Sequence, residues 1–208
     1  MSAQDIHKLI KTLGEKIRSA RRENQIPLRE LSRKTQLSIG ALSQIERGIL
    51  TPSLSSMMFI ARALDRPMGH FFDHAELDLS NNQRAFFVKH SEEKLLHTSK
   101  KVTVYLLYYS ESANVEVVKN VFEESATTGD MKYQHEGDEW GMVLNGRLKV
   151  ELENEVYILG KGDSIHFKSN IPHRLVNIHK GRTTQVWLNS PPLWMNTGRL
   201  TLKPQKYF

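Results

Sequence analysis

LRELSRKTQLSIGALSQIERG, residues 28–48, sets the architecture of the first third of the chain. It reads as two short helices joined by a tight turn. Pro27 is a start signal for the first helix, Gln36-Leu37 fill the turn, Ser38 can cap the second helix with its hydroxyl, and Gly48 ends it. Leu31, Leu42 and Ile45 fall on one side of this unit. Upstream, Ile6, Leu9, Ile10, Leu13, Ile17 and Ala20 recur at the three- and four-residue steps of one helix face. Downstream, Pro52-Ser53 opens a helix whose Leu54, Met57, Met58, Ile60, Ala61 and Leu64 can close a small core. The expectation is a compact all-α domain of five helices over residues 1–72.

Beyond this head the periodicity changes. After Arg84 come short β-rich runs: RAFFVKH, VTVYLLYY, NVEVVKNVF, EWGMVL, RLKVEL, EVYIL, SIHF and TTQVWL, separated by Gly, Asn, Asp and Pro. Many short strands in series predict an all-β sandwich or barrel over residues 85–192. The polar stretch DHAELDLSNNQR, residues 73–84, reads as a linker. Pro191-Pro192 ends the last strand, and residues 193–208 form a tail.

Charge divides the chain at the same boundary. Met1 to Phe72 holds 12 Lys and Arg against 6 Asp and Glu, whereas the remainder is balanced at 17 and 17. A basic module joined to a neutral one predicts a polyanion-binding head. Cysteine is absent, which excludes disulfides and thiolate metal sites. With 208 residues, no apolar run of membrane-spanning length and an opening MSAQDIHKLIKTLGEK that lacks a signal-peptide pattern, a soluble cytoplasmic protein without membrane contact is expected.

Residues 13–72 resemble the Xre (phage-repressor) family of helix-turn-helix domains. The resemblance is carried by Ile17-Arg18, Arg21-Arg22, Leu28 to Leu31, the run Leu42-Ser43-Gln44-Ile45-Glu46-Arg47-Gly48, and Pro52-Ser53. It implies that the helix beginning near Ser38 enters the major groove of an operator. Ser38, Gly40, Ala41, Ser43, Gln44 and Arg47 are then the exposed face. Gln44 can pair with adenine, and Ala41 or Ile39 can touch a thymine methyl. Arg29, Arg33, Lys34 and Arg47 suit phosphate contacts, and Ser53 is included in the DNA-binding set. The resemblance also implies that Glu46 pairs with an arginine of the first helix, with Arg21 the choice.

Two later segments carry a second constellation: Tyr133-Gln-His135 through Glu139 to Gly146, and Gly162-Asp163 through Pro172-His173 to Asn177. Inward positions on a strand recur every second residue, and paired strands can bring distant motifs onto one wall. These segments resemble the two motifs of the cupin family, whose double-stranded β-helix barrels hold metals or small molecules. His135, Glu139, Gly146, Gly162, Asp163, His173 and Asn177 keep the family's spacing. Tyr133 stands where a first metal-binding His would be, and Lys168 and Asn170 replace the usual Pro and Gly. The resemblance makes His135, Glu139 and His173 a candidate site for one divalent metal, and without thiolates Zn, Fe, Mn and Ni all remain open. The same residues with Tyr133 could instead form a polar pocket for an organic effector, or simply pack the barrel. Tyr133 could ligate a metal or donate a hydrogen bond. His166 alternates with Ile165 and Phe167, so it should point outward, and the remaining histidines are read as surface groups.

An Xre-like head on a cupin barrel resembles a bacterial regulator family that includes the putrescine-utilisation repressor. It implies a DNA-binding repressor of small-molecule metabolism or uptake, homodimeric through the barrel and controlled by a small effector. No catalytic residues are assigned. The rival readings are a metal-dependent cupin dioxygenase or isomerase tethered to DNA, and a DNA-binding protein whose barrel only dimerises.

Overall fold

A computed structural model describes residues 3–72, 88–99 and 101–195. The expected linker at 73–84 lies outside them, as do residues 84–87 of the RAFFVKH run and the tail from 196 onward. The head consists of α1 (Ala3–Glu23), α2 (Leu28–Thr35), α3 (Ile39–Glu46) and α4 (Leu54–Ala63). The fifth expected helix is a single 3-10 turn at Met68–Phe71. Pro67 starts that segment, but only four residues follow before the chain extends again at Phe72.

Local chemistry places the helix ends. Ala41 N–H donates to Ser38 Oγ at 3.0 Å, so the predicted cap forms, and Ser56 N–H donates to Ser53 Oγ at 3.2 Å, which caps α4 in the same way. Gln36, between α2 and α3, adopts left-handed backbone and turns the chain sharply. Leu13, Ile17 and Ala20 of α1 bury against Leu31, Leu42, Ile45, Met57, Ile60 and Leu64. Gly14 lets α1 approach α3 closely, because a Cβ there would lie 2.3 Å from the Ile45 carbonyl oxygen.

The second half forms two antiparallel sheets. One, in the order β1-β2-β3-β9-β4-β7, contains β1 (Lys94–Thr98), β2 (Val102–Ser110), β3 (Val115–Phe122), β4 (Asp138–Asn145), β7 (Ser164–Lys168) and β9 (Thr183–Ser190). The other, in the order β6-β5-β8, contains β5 (Leu148–Leu152), β6 (Glu155–Leu159) and β8 (His173–Asn177). The RAFFVKH run is not a strand where it is described: Val88 and Lys89 are irregular and a 3-10 turn begins at His90. The first strand lies further on, at Lys94.

Inward residues of β3 and β9 alternate with outward ones, and Val118 faces Trp187 across the ladder while Asn120 faces Gln185. Asn177 acts as a tie: its Nδ2 donates to the carbonyls of Phe122, Glu123 and Gly181, and its Oδ1 accepts from His179 N–H and Thr183 Oγ1. Gly146 turns from β4 to β5 at φ +91°, where a Cβ would meet Thr183 Oγ1 at 2.3 Å.

Head and barrel share one packed core. Ser55 N–H at the start of α4 donates to the Thr128 carbonyl at 3.0 Å, and Phe72 packs on Trp194 with ring centroids 5.3 Å apart. Leu193, Trp194 and Met195, assigned to the tail from the sequence, are buried. Buried Glu116 holds them, its carboxylate accepting the backbone N–H groups of all three and the Asn189 side chain. Burial pushes Glu116 up from the usual carboxylate range, although these donors pull the other way.

Candidate functional sites in head and barrel

On the head, α3 turns Ser38, Ile39, Gly40, Gln44 and Arg47 to solvent, while Ala41 and Ser43 are half-buried and Leu42 and Ile45 point inward. Arg29, Arg33 and Lys34 of α2 are exposed. Arg47 folds back so that its Nε donates to the Ser43 carbonyl at 3.2 Å. Ser53 stands apart from this set. Its hydroxyl caps α4, bonds with Ser55 and Ser56, and sits where a side chain on barrel residue Gly129 would collide with it. It therefore belongs to the seam between the domains, because the cap that orders α4 is turned toward the barrel.

Glu46 is buried and pairs with Arg21 in a two-pronged contact, Nε to Oε1 at 2.6 Å and Nη2 to Oε2 at 3.0 Å. A third Arg21 bond reaches the Ile26 carbonyl at 2.9 Å. One guanidinium thus joins α1, the α1–α2 turn and α3.

In the barrel, His135, Glu139 and His173 meet. His135 lies in the loop before β4, with its N–H donating to the Ser169 carbonyl; Glu139 is the second residue of β4, and His173 begins β8. His135 Nε2 is 2.7 Å and His173 Nε2 3.1 Å from the same oxygen, Glu139 Oε1. One donor atom from each of the three residues fits within 4.8 Å, and all three residues are buried. Tyr133 joins them through a backbone bridge to His173, its ring edge-on to His173 at 4.3 Å and stacked beside His135 at 6.3 Å.

The other ring nitrogens reveal what this cluster lacks. His135 Nδ1 is 3.0 Å from the Glu136 carbonyl and His173 Nδ1 is 2.8 Å from the Ile171 carbonyl. A carbonyl only accepts, so both Nδ1 atoms carry hydrogen, and each Nε2 faces Glu139 as a donor when its ring is protonated and as a lone pair when it is neutral. His135 Nε2 can bond Glu139 Oε1 only by carrying a proton, and His173 Nε2, 3.1 Å from the same oxygen, forms no hydrogen bond among the described residues. Such a set requires a proton or a cation. Metal-ligating histidines commonly donate their second N–H to a carbonyl in this way, so the residues fit a divalent ion.

Electrostatics agree. Burial raises Glu139, but the His173 and His135 imidazoles outweigh it and hold the carboxyl well below its usual range. Burial lowers His135, but the Glu139 hydrogen bond and charge raise it overall. The Tyr133 phenol is pushed well above its ordinary value by burial and then by Glu139, with a hydrogen bond to the Thr128 side chain acting against both.

His166 points outward, as its alternation predicts, and contacts Asp138 at 3.0 Å. His97 does not lie at the surface: it is buried on β1, 5.9 Å from the Trp194 ring. Thr128 and Phe167 complete the surroundings of the site, Phe167 lying 5.0 Å from His173. The alternation of β7 indicated Phe167, whereas no local pattern marks Thr128.

Residues 17–71 match the helix-turn-helix family and residues 121–189 match the cupin domain family. The HTH-type transcriptional regulator PuuR of Escherichia coli (strain K12) is 21% identical over 179 residues, which span 86% of this chain and 94% of that protein. An uncharacterized HTH-type transcriptional regulator, y4dL of Sinorhizobium fredii (strain NBRC 101917 / NGR234), is 43% identical over 53 residues, 26% of this chain and 27% of that protein. The crystal structure of an HTH_3 family transcriptional regulator from Vibrio cholerae shares the fold at a TM-score of 0.63 and 20% identity, covering 89% of this chain and 98% of that one.

Proposed function

We infer that this DNA-binding transcriptional regulator, built from a helix-turn-helix domain and a cupin domain, is a cytoplasmic repressor whose barrel senses a small effector at a metal-dependent site. Among the described residues no helix is long and apolar enough to cross a membrane. Reading falls to Ser38, Gly40, Ala41, Ser43 and Gln44, and phosphate contact to Arg29, Arg33, Lys34 and Arg47. His135, Glu139 and His173 are the metal ligands, and Tyr133 orients the effector.

The observation that supports the sensor reading most is the convergence of two imidazole nitrogens and a carboxylate oxygen on one buried point. A divalent metal bound there would supply the missing positive charge and a position for an oxygen or nitrogen of an effector. His135 and His173 are held for that role by the Glu136 and Ile171 carbonyls. Two features favour sensing over catalysis. Tyr133 packs its ring against both imidazoles at the position of a missing ligand, and the same chain carries a DNA-binding head.

The test begins with zinc(II) titration of the full chain followed by calorimetry, with the number bound per protomer read by metal analysis. Stoichiometric zinc is expected in the parent and is expected to be lost in His135→Ala and Glu139→Ala. Operator affinity of the metal-free variants should stay within about tenfold of the parent, since the reading face is untouched. Zinc uptake that is unchanged in both variants would refute the site.

A further inference from the structure

A cavity of about 210 Å³ lies between head and barrel. Its head wall comes from the C-terminal end of α2 and from α4, and its barrel wall from residues 131–134 and Pro172. Three cations line it, Lys34, Arg62 and Lys132, and among the described residues no acidic side chain does. Met58 and Phe59 provide an apolar floor. Among the described residues Lys34 is engaged by an exposed pair with Glu30 at 3.2 Å and by no other ion pair, and Lys132 Nζ donates to the Glu153 backbone carbonyl, which does not compensate its charge. Exposed pairs of the first kind contribute little and exchange readily.

The cavity also touches the barrel site without being part of it. Tyr133 lines it, while the ring of Tyr133 packs edge-on against His173. Thr128 connects the same parts: its carbonyl accepts from Ser55 of α4, and its side chain bonds the Tyr133 phenol. Whatever fills the cavity therefore contacts two helices of the head and a ring of the sensor site together.

We propose that this cavity binds a small organic carboxylate, its apolar body on Met58 and Phe59 and its charge between Arg62 and Lys132. The excess of positive charge selects an anion, and the apolar floor selects an organic one over a bare inorganic ion. The inference goes beyond the regulator reading by adding an anion site separate from the metal-dependent one, and it rests on that reading only for its consequence on DNA. An anion that draws Lys34 inward competes with that residue's phosphate contact, so occupancy weakens operator binding.

The experiment is calorimetric titration of the metal-loaded full chain with benzoate and hexanoate, and with benzylamine and hexylamine as charge-reversed counterparts. The carboxylates should bind, and the amines should bind about tenfold or more weakly. Arg62→Met and, separately, Lys132→Met should weaken the carboxylates by a similar factor. Both substituted positions are partly exposed, so the variants should retain the fold. The proposal is overturned if neither carboxylate binds at millimolar concentration, if amines bind equally well, or if both Arg62→Met and Lys132→Met bind the carboxylates as the parent does. A parallel operator titration separates the two claims: carboxylate binding that depends on Arg62 supports the site even where operator affinity does not move.

Discussion

His97 sits on β1 with its ring facing Trp194, and burial alone lowers its pKa from 6.5 to about 4. Its neighbours include Leu13, Phe71, Phe72 and Leu96 in a small apolar gap, and none of the residues lining that gap carries a formal charge. No described group accepts from or donates to its Nε2. The unfolded chain takes up this proton near pH 6.5, whereas the folded chain resists it until about pH 4. The contribution to stability is therefore fully present above the unfolded value and is lost as pH falls between the two, by up to about 3 kcal/mol. His97→Phe keeps an aromatic ring against Trp194 and removes the titration. Chemical denaturation from neutral pH down to about pH 5 should show a flatter loss of stability in the variant. Equal slopes in parent and variant would show that His97 is not the group responsible.

At the scale of the element, α3 is fixed from behind and free in front. Arg21 and Gly14 set its position against α1, and Ser38 caps its start, so the outward side chains need not contribute to folding. Gln44→Ala should therefore leave stability unchanged while costing about 1–3 kcal/mol on an operator selected from random DNA. Fluorescence anisotropy on that operator and on a scrambled duplex distinguishes the roles, because an equal loss on both would make Gln44 a backbone contact. Features of this kind were legible in the sequence because they are local: a hydroxyl caps the helix it precedes, and a glycine turns where it stands. The spacing around His135, Glu139 and His173 was legible through the strand period and the family resemblance. The clamp of Glu116 on residues 193–195 was not, since its partners lie more than seventy positions away. Strand β1 was missed for a related reason, because a register shift between Leu95 and His97 breaks the alternation that marks a strand.

For the whole molecule, the unresolved requirement is a second head, since one recognition helix in a single groove gives limited specificity. The barrel offers a surface for pairing. β6 is hydrogen-bonded only to β5 among the described strands, and its Val156, Tyr157 and Ile158 are 60%, 42% and 47% exposed. Consecutive exposed apolar residues on an unpaired sheet edge are a template for another strand. We propose that a second copy pairs along the same edge, which would satisfy those backbone groups symmetrically and supply the second head. The operator is then an inverted repeat with half-sites about 10 base pairs apart, or a multiple of that. Light scattering on the full chain should give a dimer, and Val156→Lys with Ile158→Glu should give a monomer whose circular dichroism is unchanged. That monomer should bind a single half-site as the parent's head does but lose the added affinity of the paired site. A parent that is monomeric at micromolar concentration, or a double variant that remains dimeric, would move the dimer contact away from β6.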